Sequence, residues 1–242
     1  MSESIGGVEP PDVEHEHPNV TGGWLRPAVF GAMDGLVSNF ALIAGIAGGT
    51  RGGHSAPIVL AGLAGLAAGA FSMAAGEYTS VASQAEYAAK EIQVERQEIR
   101  DNPRAEQDEL AQMYVDRGID PGLARAVAEQ VHADVELALA VHAREELGVD
   151  PQNLPSPLLA AGSSFVSFAI GAALPVLPYV LGAANLLPAL IVSLIALFGC
   201  GAVVSSITTR SWWYGGLRQM LLGGIAAGLT YLVGDAVGSS LE

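Results

Sequence analysis

From residue 151 to residue 209 the chain contains no Asp, Glu, Lys or Arg. A water-soluble fold has no need of so long an uncharged run, because its loops and outer faces must meet water. A bilayer's hydrocarbon core demands it, asking about 20 consecutive apolar residues of each crossing helix. The charge is concentrated elsewhere: residues 77–150 hold 17 of the 25 acidic side chains. Charged residues make up 15% of the chain, against about 25% in ordinary globular domains. That segregation predicts two phases in one chain, lipid-embedded helices and an acidic block in water.

Five spans are expected, near residues 26–49, 56–78, 157–179, 186–208 and 212–238. Pro175 and Pro178 are expected to close the third, and Trp212 and Trp213 to sit at the membrane interface. The repeated small residues Gly31/Gly35, Gly45/Gly49 and Gly65/Gly69 predict close packing of the first two spans, within or between chains. Arg26, Lys90, Arg96, Arg100, Arg104, Arg210 and Arg218 all fall on one side of the membrane, with Arg51 alone opposite. The positive-inside rule then puts the N-terminus in the cytosol.

The second helix is expected to run on past the membrane. From residue 58 to 101 there is no proline, and after Gly76 no glycine, in a segment rich in good helix formers. A second helix restarts at Pro103, capped by Asn102 or Asp101. A third covers residues 121–147, with Asp120 as its cap and Gly148 at its end. The fold class is thus an all-α membrane protein of five transmembrane helices, with a cytosolic helical metal-binding domain between the second and third. The expected parts are a disordered acidic arm (1–22), spans one and two (23–85), the acidic domain (86–150) and spans three to five (151–242). The arm has no basic region of the kind that opens a signal peptide; its His15 and His17 read as solvated. Cys200 is the only cysteine, so no internal disulfide forms.

A net charge of −14 repels nucleic acid and favours cations. Glu95 and Glu98, and again Glu106 and Glu109, are spaced i, i+3, and His142 and Glu146 i, i+4, so each pair shares a helix face. Like charges so placed cost a helix a few tenths of a kcal/mol, a cost that a shared cation offsets. Carboxylates with an imidazole suit Mn²⁺, Fe²⁺ or Zn²⁺; a solvated acidic surface is the plainer alternative. Within the spans, Asp34 stands about 10 Å deep at 1.5 Å per residue, where a charge costs roughly 2.5–3.5 kcal/mol at a helix centre. Met73 falls at a similar depth on the second span and Glu77 one turn below it, with Ser38 and Asn39 as candidate helpers beside Asp34. Packing and helix–helix hydrogen bonding are the rival account of Asp34 and Met73. Intramembrane acids, however, mark ion or proton paths.

The stretches "DGLVSNFALIAG", "FSMAAGEYTSVASQAEY" and "EELG" before "SPLLAAGSSFVSFAIGAALPVLPY" resemble the vacuolar iron transporter family, the iron and manganese transporters of the yeast calcium-cross-complementer type. The resemblance covers about residues 22–238. It implies a five-span homodimer in a lipid bilayer that exports Fe²⁺, and Mn²⁺ as well, from the cytosol against returning protons. By resemblance, Asp34 and Met73 match pore residues and Glu77 the acid below them. Glu95, Glu98, Glu106, Glu109 and Glu146 match the cytosolic metal ligands. His142 stands where the family pattern has a methionine, a departure that alters the ligand set. No prosthetic group is expected, only bound or transported Fe²⁺, Mn²⁺ or Zn²⁺. The Ala/Gly-rich composition points to a bacterium and its plasma membrane; in a eukaryote the membrane is the vacuolar one. Two alternatives use the same residues: a metal sensor that passes no ions, and a membrane-anchored di-iron oxidase built on the Glu129–His132 E-x-x-H pair.

Overall fold

A computed structural model describes residues 23–50, 55–206 and 210–241. The N-terminal arm with His15 and His17, Arg51, and the end of the fourth span lie outside the described residues. Among the described residues there are eight helices and no strand. They are α1 (Leu25–Gly49), α2 (Ser55–Asp101), α3 (Pro103–Asp116), α4 (Pro121–Val131), α5 (Val135–Glu145), α6 (Pro157–Val180), α7 (Leu187–Ser206) and α8 (Trp212–Leu241). α1, α2, α6, α7 and α8 are each long and apolar enough to cross a membrane. Their outward faces carry Leu60, Phe71, Leu158 and Ile195, each more than 65% exposed. Contiguous exposed apolar surface of that kind needs a lipid or protein neighbour.

α1 is the axis of the bundle, packed against α2, α6, α7 and α8. Leu36, Phe40 and Ala44 of α1 meet Leu197 and Ala227 in one core, and Ile43 and Ala47 meet Ile58, Val176, Tyr179 and Ala189 in another. The glycines of α1 act differently from the expectation of a tight α1–α2 contact. Gly31 and Gly35 lie against the α6 backbone around Phe168, whereas Gly45, Gly48 and Gly49 lie against α8. There a side chain would collide with backbone, which cannot give way. On α2, Gly65 opens toward α1 beside Asn39 and Leu42, and Gly62 sits against Ile43 of α1 and Val176 of α6.

α6 ends at Val180, within a residue of the expected end, but it runs through Pro175 and Pro178 rather than stopping at them. Each proline forfeits one N–H bond near the helix end, and the neighbouring Val176 and Tyr179 are packed into the core, which holds the last turn in place. Spanning helices tolerate proline on such terms. The turn closes at Gly182, whose φ of 95° suits glycine.

α2 is unbroken for 47 residues, about 70 Å at 1.5 Å per residue. A crossing of about 20 residues uses it up to the neighbourhood of Glu77, and the remainder stands clear of the bundle with α3, α4 and α5 around it. Ile92 and Ile99 of α2 bury against Ala138, Leu139 and Ala143 of α5, while Leu110 and Ala111 of α3 bury against Ala128 of α4. The expected single helix over 121–147 is two. α4 ends at Val131, and Asp134 starts α5 by accepting from the N–H groups of Glu136 and Leu137. That cap offsets the break and redirects the chain so that α5 folds onto α2. Asp120 caps α4 in the same way, through Gly122 and Leu123. Asn102 precedes α3 without a side-chain cap; Pro103, which has no N–H, removes one of the donors a cap would serve.

Candidate functional site

The candidate ligands of the acidic region meet where α2, α3 and α5 converge. His142 of α5 is fully buried, and its Nδ1 lies 2.7 Å from Glu146 Oε1, 3.0 Å from Glu95 Oε1 and 3.9 Å from Glu106 Oε2. Glu95 and Glu106 are themselves buried. Glu95, His142 and Glu146 each bring a ligand atom within 4.8 Å of the other two, and Glu95, Glu98 and Glu106 do the same. Glu95 therefore belongs to two adjoining triads. Glu109 is in neither, though its charge acts on both Glu95 and Glu106.

The electrostatics are ones that a bound cation would relieve. Burial pushes the Glu95 carboxyl up to about 7, helped by the charges of Glu146, Glu106, Glu98 and Glu109. Glu106 is raised by burial and by Glu109, with His142 opposing. Among the described residues no arginine is paired with them: Arg96 pairs with Glu136, Arg117 with Glu145 and Arg144 with Asp150. Nδ1 of His142 carries at most one proton and Glu146 Oε1 is its nearer acceptor, so Glu95 Oε1 is buried without a hydrogen-bond donor. Buried acceptors are normally satisfied. Ligand atoms bound at about 2.1 Å in octahedral array stand about 3 Å apart, the spacing seen around Nδ1.

The second group lies within the bundle. Asp34, Ser38, Asn39 and Leu42 of α1, Gly65, Gly69, Ser72 and Met73 of α2 and Phe168 of α6 line one cavity of about 230 Å³. Ser38 donates to Asp34 Oδ1 at 2.8 Å. Ser38 and Ser72 are exposed and Asp34 partly so, so the cavity opens on the outside of the bundle. Met73 also packs near Phe168. Glu77, one turn further along α2, is partly buried and joins neither this cavity nor the triads. A larger cleft of about 550 Å³ beside α8 is lined by apolar side chains and glycines, with Tyr231 the single polar side chain, and offers no carboxylate.

The E-x-x-H pair does not form a di-iron arrangement. His132 Nδ1 faces the Ala128 carbonyl at 2.9 Å and its ring stands edge-on to His142, 5.2 Å away. Glu129 lines a separate surface pocket with Arg104, Gln107, Asp108 and Arg125. Sequence spacing alone missed the His132–His142 contact and the place of Phe168 against Gly69, because both depend on how helices cross. The one local signal for the latter is a glycine within an apolar span.

The family model described as the VIT family matches residues 25–235. A vacuolar iron transporter of Acanthamoeba castellanii is 37% identical over 229 residues, which cover 91% of this chain and 81% of the relative. Vacuolar iron transporter 2 of rice (Oryza sativa subsp. japonica) is 29% identical, covering 93% of both chains. A vacuolar iron transporter of Plasmodium berghei is 30% identical over 92% of this chain and 85% of its own length.

Proposed function

The chain belongs to the VIT family and is an integral membrane protein, and on that footing we propose that it carries Fe²⁺, with Mn²⁺ as a second cargo, out of the cytosol in exchange for protons. It acts as a transporter rather than an enzyme, in the plasma membrane of a bacterium or the vacuolar membrane of a eukaryote. The basic side chains Arg26, Lys90, Arg96, Arg100, Arg104, Arg210 and Arg218 set the N-terminus and the α3–α5 region in the cytosol.

In this reading the triads around Glu95 take up the cation first. Carboxylate oxygens and the imidazole of His142 suit borderline divalent metals. The ion then passes by Glu77 to the Asp34–Met73 cavity, where a carboxylate and a thioether share one opening. Asp34 is tolerated in the membrane because a cation or a proton occupies it in turn. Protonation weakens its hold on metal, and a proton returning from the far side resets it. The open side of the cavity faces a second copy of the chain, which keeps lipid from Asp34.

The observation that carries the reading is α2. One continuous helix supplies Met73 to the cavity and Glu95 and Glu98 to the triads. The test is Fe²⁺ and Mn²⁺ flux into proteoliposomes under an imposed pH gradient. Asp34→Ala is expected to reduce flux to that of empty vesicles, and undiminished flux refutes the role.

A further inference from the structure

Asn39 is 2% exposed and sits where α1, α2 and α6 meet. Its Nδ2 donates to the Gly62 carbonyl at 3.1 Å and to the Ala172 carbonyl at 2.6 Å. A carboxamide has two N–H donors, so both are used. Its orientation follows, since the flipped amide would turn an oxygen toward two carbonyl oxygens with no proton between them. That leaves Oδ1, an acceptor with two lone pairs, buried and without a partner.

The oxygen faces α2. A methyl group on Gly65 would stand 2.9 Å from it, and Asn39 and Gly65 both line the cavity of Asp34 and Met73. Along α1, Asn39 lies about 7.5 Å beyond Asp34, and along α2 Gly65 lies about 12 Å beyond Met73, at 1.5 Å per residue. The two pairs therefore mark opposite ends of one cavity. Other buried oxygens without partners, Ser164 Oγ, Ser193 Oγ and Tyr179 Oη, do not line it.

We propose that Asn39 Oδ1 is a ligand for the transported divalent cation, a neutral oxygen station that the ion reaches after Asp34 and Met73. The inference rests on reading that cavity as the ion's route. Oδ1 is closed to water, so an ion arriving there has shed part of its hydration and gains an oxygen in exchange. A neutral amide holds a divalent ion less tightly than a carboxylate does, which lets the ion leave, the condition that any conduction path must meet. An oxygen at this station favours Mn²⁺ and Fe²⁺ over the softer Cd²⁺, for which the Met73 sulfur is the better ligand.

The experiment compares initial rates of Mn²⁺ and Cd²⁺ uptake by the full chain in proteoliposomes. Gly65→Ala alters no atom of Asn39 and sets a methyl group 2.9 Å from Oδ1 and 2.6 Å from Leu42 Cδ2, so that the Leu42 side chain must give way. It is expected to raise the KM for Mn²⁺ at least fivefold and that for Cd²⁺ less than twofold. Asn39→Ala, provided that it elutes as a folded species, is expected to show the same split. Equal shifts for both metals, or none, while Asp34→Ala is inactive, overturn the role of Asn39 and leave the route standing. An active Asp34→Ala overturns the route itself, and the role of Asn39 with it.

Discussion

The two candidate sites are built on opposite electrostatic plans. The triads gather Glu95, Glu98, Glu106 and Glu146 around one imidazole with no basic residue among them. The membrane cavity has one carboxylate, Asp34, beside a thioether, two hydroxyls and an amide. In the first, Glu98 and Glu146 are exposed to water while Glu95 and Glu106 are buried, so solvent screens part of the repulsion among the carboxylates. In the second, each further charge would cost a few kcal/mol to place among hydrocarbon. What separates them is dielectric surroundings more than ligand taste: dense charge suits capture from dilute solution, and sparse charge suits release.

That contrast breaks most visibly at Asp34. Because it is the cavity's one charge, Asp34→Asn is expected to stop flux at every metal concentration, whereas Glu98→Gln, one acid among several, raises KM and leaves the saturated rate within about twofold. Uptake that saturates normally in the Asn variant would erase the distinction. Next in size is His142→Ala. Losing even an outer-shell partner costs metal affinity about 10- to 100-fold, so losing a direct donor should weaken Mn²⁺ binding, measured calorimetrically on protein in detergent, by no less than about tenfold. An unchanged affinity would mean that the imidazole only packs.

The pH dependence follows from Glu95, whose carboxyl is raised from 4.5 to about 7. The folded state therefore binds this proton more tightly than the unfolded chain does. Its contribution to metal-free stability is full below pH 4.5 and is lost as pH rises through 7. Metal needs the ionised form, so the increase in Tm produced by Mn²⁺ is expected to be larger at pH 8 than at pH 6. A larger increase at pH 6 would contradict the site. The smallest effect concerns the frame. Asp134→Ala removes the α5 cap, typically worth about 1 kcal/mol, and should lower Tm by a few degrees with metal selectivity intact.

The long apolar helices and the extension of α2 were legible in the sequence, because length and hydropathy belong to single segments. The break between α4 and α5 was not: "VHADV" holds no proline or glycine, and only the bonds made by the Asp134 carboxylate reveal a new start. For the sites, periodicity identifies which acids share a face, but convergence depends on how the helices cross. Thus Glu91 and Glu77 lie on the same stripe of α2 as Glu95, yet neither enters a triad. The glycines of α1 similarly advertise close packing without naming the partner, which turned out to be α6 and α8.

The continuity of α2 has a mechanical side. Met73 and Glu95 are separated by about 33 Å of one rod at 1.5 Å per residue. Tilting that rod by about 5° about its membrane end swings Glu95 sideways by about 3 Å, as far as His142 Nδ1 now lies from the Glu95 carboxylate. A lever of those proportions would couple any rocking of the spans to opening of the triads, so that clamping one end would steady the other.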